Sequence, residues 1–180
     1  MKKVAIVTPE ALAPRSFLWD ELSERFKVKI NNLGDYMDYH DILRETGIVL
    51  IWAPELHDKG LYVPYAEECG SDNGIIFVDS TLSEDETECA ILHECGHKIK
   101  GHTLSKLSAP QLHIINEAKA NRFMISCKAK DYLEEIDYHV YYYTPERFLN
   151  RFKLSVENFY DMAEQEMEKV AFEYRTQLIY

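Results

Sequence analysis

The chain has 180 residues, 46% of them hydrophobic, and sets 20 Lys and Arg against 31 Asp and Glu for a formal net charge of -11. That is enough apolar material for one core, and no Pro/Gly/Ser-rich linker divides it, so a single domain over residues 1–180 is expected. The acidic balance and the lack of a basic recognition helix speak against direct nucleic-acid binding, because phosphate contacts dominate such affinity and need clustered Lys and Arg.

The first residues, MKKVAIV, have a basic start but too short an apolar run for a signal peptide, and no segment approaches membrane-spanning length. The four cysteines, Cys69, Cys89, Cys95 and Cys127, show no C-x-x-C spacing. Reduced thiols and a cytoplasmic setting are therefore expected.

In chain order, residues 4–7 read as a strand and 14–26 as an amphipathic helix carrying Phe17, Leu18, Leu22 and Phe26. Residues 35–45 look helical, with Gly47 closing the helix. Residues 48–53 and 60–65 read as strands joined by a turn near 58–60, the second placed at a sheet edge because Pro64 has no ladder donor to offer. A loop over 66–74 leads to a third strand over 74–80. Three short strands followed by helices imply an α+β domain with a small three-stranded sheet on one side of the next helix.

That helix carries the most informative residues. Ser83 and Glu86 form a capping box, Glu84 and Asp85 add negative charge to the first turn, and Gly101 follows Lys98 and Lys100 where a left-handed cap would end the helix. Within the predicted span 84–100 lies H-E-x-x-H, written here as His93, Glu94, Cys95, Gly96 and His97. Residues four apart stack on one helix face, so both imidazoles can reach one metal ion with Glu94 beside it. A catalytic zinc keeps an open position for water and lowers its pKa towards about 7, and Glu94 is placed to act as general base. Packed, hydrogen-bonded histidines are the plainer alternative, but two of them with a glutamate at this spacing favour the metal.

A third ligand is expected on a second helix opened by Pro110, where Ile114, Glu117, Ala118, Asn121, Met124 and Ile125 form one stripe. A carboxylate on such a face is costly to bury unless it is paired or binds a cation, which points to Glu117. Asn121, one turn on, could orient Glu117 or bridge the two helices behind the ligands. Tyr62, His102 and His113 are candidates for stabilising the transition state, and the sequence does not choose among them.

The run Ile91 to Gly101, ILHECGHKIKG, followed by Glu117-Ala118-Lys119-Ala120-Asn121-Arg122-Phe123, resembles the ImmA/IrrE metallopeptidases, whose pattern is H-E-L-G-H and then E-x-x-A-N-x-F-A. The resemblance covers residues 42–127. It implies a zincin-like fold, one Zn²⁺ per chain held by His93, His97 and Glu117, and Glu94 as base. It also implies a protein substrate, a helix-turn-helix repressor of the kind found on phages and mobile elements. Cys95 and Met124 depart from the pattern, and both are expected to affect packing rather than chemistry. A non-catalytic regulator with a structural or degenerate zinc site, and a peptidase of broad specificity, are the competing readings.

Beyond the resemblance, YHVYYY over residues 138–143 reads as a strand or a packed loop. Thr144 and Pro145 open a short helix through Phe152, and Ser155 caps a longer one. In the latter Val156, Phe159, Tyr160, Ala163, Met167, Val170, Ala171 and Tyr174 form an apolar stripe that either packs on the parent domain or docks a partner.

Overall fold

The computed structural model describes residues 38–64, 73–101 and 109–177. The predicted strand over 4–7, the helix over 14–26, most of the 66–74 loop, and His102 lie outside the described residues.

The first described helix, α1 (Tyr39–Thr46), is entered through Asp38, whose carboxylate accepts the His40 N–H, and left through Gly47 in the left-handed conformation at φ 67°. Three strands follow: β1 (Val49–Ala53), β2 (Gly60–Val63) and β3 (Ile75–Asp79). Their order is β1-β3-β2, with β1 parallel and β2 antiparallel to β3. The two strands adjacent in sequence are thus not neighbours in the sheet, contrary to the simplest reading of the turn between them. Of the three, β3 is the most buried, with only Phe77 partly in solvent. That fits its place at the centre, where both sides of its backbone are paired. Among the described residues β2 is an edge, as expected, and it stops at Val63, immediately before Pro64.

From β3 the chain turns directly into α2 (Glu84–Ile99). Asp79 shapes that turn by accepting both the N–H and the hydroxyl of Thr81 at 2.8 Å, and these bonds hold its carboxyl below the usual range. At the helix start Glu86 accepts from the Ser83 hydroxyl at 2.6 Å and from the Ser83 N–H at 3.4 Å. The Ser83 hydroxyl, with help from Lys59, pulls the Glu86 pKa down to about 2. Gly101, at φ 66°, ends the helix as predicted.

The long helix α3 (Pro110–Glu135) runs antiparallel to α2, as cross-links along its length show. Lys128, itself buried, meets Glu88 at 2.6 Å and Asp131 at 2.7 Å, while further along Asn121 faces His93. Just past the second of these points Gly96 lets the helices touch. A Cβ built there would sit 2.9 Å from the Ala120 Cα and 3.1 Å from its carbonyl oxygen. Because the obstruction is backbone, Gly96→Val should cost about 1–3 kcal/mol in overpacking. A fall in Tm of roughly 2–4 °C per kcal/mol is expected for a chain of this size, and an unchanged Tm would contradict the close crossing.

Two shorter pieces complete the fold, α4 (Pro145–Arg151) and α5 (Val156–Gln177). The aromatic run before α4 is a turn-rich loop and not a strand, and it is not packed as expected: Tyr138, Val140, Tyr141 and Tyr142 are exposed, and hydrogen bonds at its C-terminal end anchor it to α3. Tyr132 donates to the Tyr142 carbonyl and Tyr143 to the Ala129 carbonyl, each at 3.0 Å. The apolar stripe of α5 packs on the parent domain, with Ala163, Met167 and Val170 buried in the common core beside Met124, Phe148 and Leu149. Arg122 of α3 meets the buried Glu166 of α5 at 3.1 Å, and Arg151 of α4 ties Asp85 to Glu135. Among the described residues no helix is long and apolar enough to cross a membrane.

One expectation about α3 needs correcting. Of its predicted stripe only Met124 and Ile125 are buried, and Ile114 is 69% exposed. In the antiparallel pair the C-terminal end of α2 lies level with Glu117, so the first turns of α3 project beyond the helix that would cover them.

Candidate metal centre

The crossing of α2 and α3 brings His93, His97 and Glu117 together, with one ligand atom from each lying within 4.8 Å of the others. The His93 and His97 Nε2 atoms are 3.1 Å apart. Glu117 places Oε2 at 3.3 Å from His93 Nε2 and Oε1 at 3.4 Å from His97 Nε2. Four ligands at about 2.0–2.1 Å around a tetrahedral zinc would be about 3.3 Å from one another. The three separations therefore fit edges of one coordination tetrahedron, and they are long for charged hydrogen bonds.

The route by which Glu117 gets there differs from the expectation. Its side chain is 56% exposed, so the burial argument that singled it out does not hold. It stands at the open end of the site, where α3 emerges past α2. The two imidazoles lie deeper, His93 at 20% and His97 at 15% exposure. The group thus combines two sheltered nitrogens with one exposed carboxylate.

Asn121 faces the first imidazole rather than Glu117. Its Oδ1 accepts from His93 Nδ1 at 2.8 Å, which places the ring proton on Nδ1 and turns the Nε2 lone pair towards the cluster. Of the two roles open to Asn121 from sequence, bridging the helices is the one realised. Replacing it with Ala should weaken zinc binding about 10- to 100-fold without unfolding the chain. Chelator competition measures this, and an affinity equal to the parent would show that the bond is idle.

Glu94, the next residue on α2, reaches the outer edge of β2. It is buried, and its Oε2 accepts the Tyr62 main-chain N–H at 2.8 Å. Burial raises its pKa, and the neighbouring His93 and the Tyr62 N–H offset only part of the rise. For His93, burial disfavours the proton, but Glu117 and Glu94 outweigh it and the pKa goes up. The His93 shift reflects the carboxylates gathered around it, the Glu94 shift its burial.

Of the three candidates for stabilising a transition state, His102 is outside the described residues. His113 is exposed and sits one turn before Glu117. The Tyr62 ring lies over Gly74, where a built Cβ would be 2.7 Å from its Cε2 and 2.9 Å from its hydroxyl oxygen. Half-burial pushes the phenol up to about 12. Tyr62 thus meets the site through its main chain, a contact that side-chain reasoning could not find. Cys95 is fully buried and its thiol pKa is raised by desolvation, so it behaves as the small hydrophobe expected.

Fold and site together define an α+β protein of the H-E-x-x-H type, with a His, His, Glu group that could hold a metal ion. The sequence matches the Peptidase_M78 family, the IrrE N-terminal-like domain, over residues 43–164, more than half of the chain, and the protein belongs to that family. The match runs past the 42–127 stretch on which the resemblance rested, through α4 and into α5. No curated protein matches the chain.

Proposed function

We propose that the protein is a zinc-dependent endopeptidase that cuts a regulatory protein, a helix-turn-helix repressor being the expected substrate class. The observation that carries this reading is the spacing of the His93, His97 and Glu117 atoms, which suits tetrahedral zinc. When bound, zinc supplies Lewis acidity, which makes water a nucleophile near neutral pH and polarises a carbonyl.

The protein's own groups do the rest. His93 and His97 would hold the ion through Nε2 with Glu117 as third ligand, and Asn121 would keep the His93 ring in the required tautomer. Glu94 takes the proton of the attacking water and hands it to the departing amine. Its burial raises its affinity for that proton, and its fixed place beside Tyr62 keeps it from swinging into solvent. A purely structural zinc site would have no use for such a carboxylate.

The substrate class draws support from charge. A chain with a net charge of -11 attracts a basic DNA-binding protein, which speeds encounter more than it sets affinity. The free thiols of Cys89, Cys95 and Cys127 suit the reducing cytoplasm in which such a partner acts.

The test is to incubate the zinc-loaded protein with a repressor encoded beside it and follow intact masses. Two fragments from one cut, with casein untouched, are expected. Tight binding of the repressor with no cut would favour a non-catalytic regulator, and degradation of casein a broad-specificity peptidase.

A further inference from the structure

We infer that Gly60 and the main-chain N–H of Tyr62 form the seat that positions Glu94, so that the edge of the sheet, and not α2 alone, sets where the base points. This rests on the reading of Glu94 as general base given above. The peptide ladder shows why the edge is available. The Asp79 N–H donates to the Lys59 carbonyl at 3.1 Å, and Gly60 pairs with Val78 and Tyr62 with Ile76 in the register. Antiparallel pairing alternates, so Leu61 and Val63 exchange hydrogen bonds with β3 while Gly60 and Tyr62 turn their N–H and C=O groups outward. On a free edge those groups would meet water. At Tyr62 the outward N–H instead meets a buried carboxylate oxygen of Glu94 at 2.8 Å.

Gly60 makes room for that contact. A Cβ built on it would lie 3.0 Å from the Glu94 Cγ and 3.2 Å from its Oε1. Its φ is not in the left-handed region, so alanine there carries no backbone strain. The three atoms nearest the added methyl group all belong to Glu94, so that side chain would have to give by a few tenths of an ångström. Glycine at the start of a strand is usually a weakness in a sheet, and a close approach by another group is one of the few reasons to keep it. Here the approaching group is the proposed base. Glu94 is thereby held from two sides, by the rigid turn of α2 that carries it and by β2, whose N–H fixes one oxygen and leaves the other free to exchange a proton. Gly60 is a positioning residue, and so is the Tyr62 main chain.

The experiment uses the full zinc-loaded chain and two variants, Gly60→Ala and Leu61→Ala. Leu61 is on the same strand but faces the other side of the sheet and is exposed. Against a repressor that the parent cuts, Gly60→Ala should lose about tenfold in kcat with KM, zinc content and Tm little changed, because small misplacements of a reacting group are expensive. Leu61→Ala should leave kcat as in the parent. A second readout needs no cleavage: exchange of the Tyr62 amide hydrogen, followed by NMR in the parent, Gly60→Ala and Glu94→Ala. Exchange should be slow in the parent and at least about tenfold faster in both variants, since an edge amide without a partner opens freely to water. A rise in KM alone would assign Gly60 to substrate docking and overturn the inference, as would a Tyr62 amide equally protected in Glu94→Ala. If the parent cuts nothing, the endopeptidase reading falls, while the amide exchange still decides whether Gly60 and Tyr62 seat Glu94.

Discussion

Glu94→Gln is expected to bind zinc at the parent's stoichiometry and to lose cleavage by about 10²- to 10⁴-fold, the usual range for removing a positioned general base. The substitution preserves shape, and the amide oxygen of Gln can still accept the Tyr62 N–H that Glu94 accepts at 2.8 Å. It also removes a charge from a buried place. Burial already raises the Glu94 pKa, so the ionised form is under strain in the folded protein, and the neutral isostere should fold at least as well. Loss of activity with Tm equal to or above the parent's therefore isolates proton transfer from stability. Retained kcat in Glu94→Gln would remove the carboxylate from the mechanism, whatever the metal content.

The second large effect concerns the ion. If zinc binds only the folded chain, it stabilises it by about 4 kcal/mol when present at a thousandfold excess over Kd. With roughly 2–4 °C per kcal/mol for a domain of this size, saturating zinc should raise Tm by roughly 8–16 °C, and a chelator should reverse the rise. His97→Ala should abolish most of that increment. His97 is the deeper of the two imidazoles, and its Nε2 stands 3.1 Å from the His93 nitrogen and 3.4 Å from the Glu117 oxygen, so its loss opens the tetrahedron on the sheltered side. Thermal melts with and without zinc, read beside metal analysis, measure this directly. A His97→Ala protein that keeps one zinc per chain and the full rise in Tm would refute the proposed ligand set.

The two readouts separate what the metal centre contributes to folding from what it contributes to chemistry. Loss of zinc is expected to lower both Tm and activity, and loss of Glu94 activity alone. Glu117 should fall between His97 and a surface residue. Its carboxylate faces both imidazoles, yet more than half of the side chain is in water, where solvent can partly replace it.

Much of this could be read from the residues in order. Helix α2 was legible because its signals are local: Ser83 and Glu86 at the start, Gly101 at the end, and two histidines separated by one turn plus a fraction between them. Helix α3 announced its first residue through Pro110, and the pairing of H-E-x-x-H with E-A-K-A-N-R-F pointed to Glu117 and Asn121 before any crossing was seen. The C-terminal helices were marked in the same way, by Thr144 and Pro145 and by Ser155. Caps, turns and helical periodicity act over a few residues, so a linear reading recovers them.

What the sequence alone determined is the inventory of the candidate site: which histidines share a face, which carboxylate follows them, and which helix carries Glu117. Only the tertiary structure decided the arrangement around that inventory. It placed β3 between β1 and β2 and set the first turns of α3 in solvent. It also directed Asn121 to His93 and brought Glu94 to the backbone of Tyr62 beside Gly60, a residue with no side chain to advertise its role. The physical reason is range. A helix face is set by neighbours three and four positions away, whereas strand order and the fit of a carboxylate against an edge strand depend on residues some thirty positions apart, whose meeting is chosen by packing of the whole core.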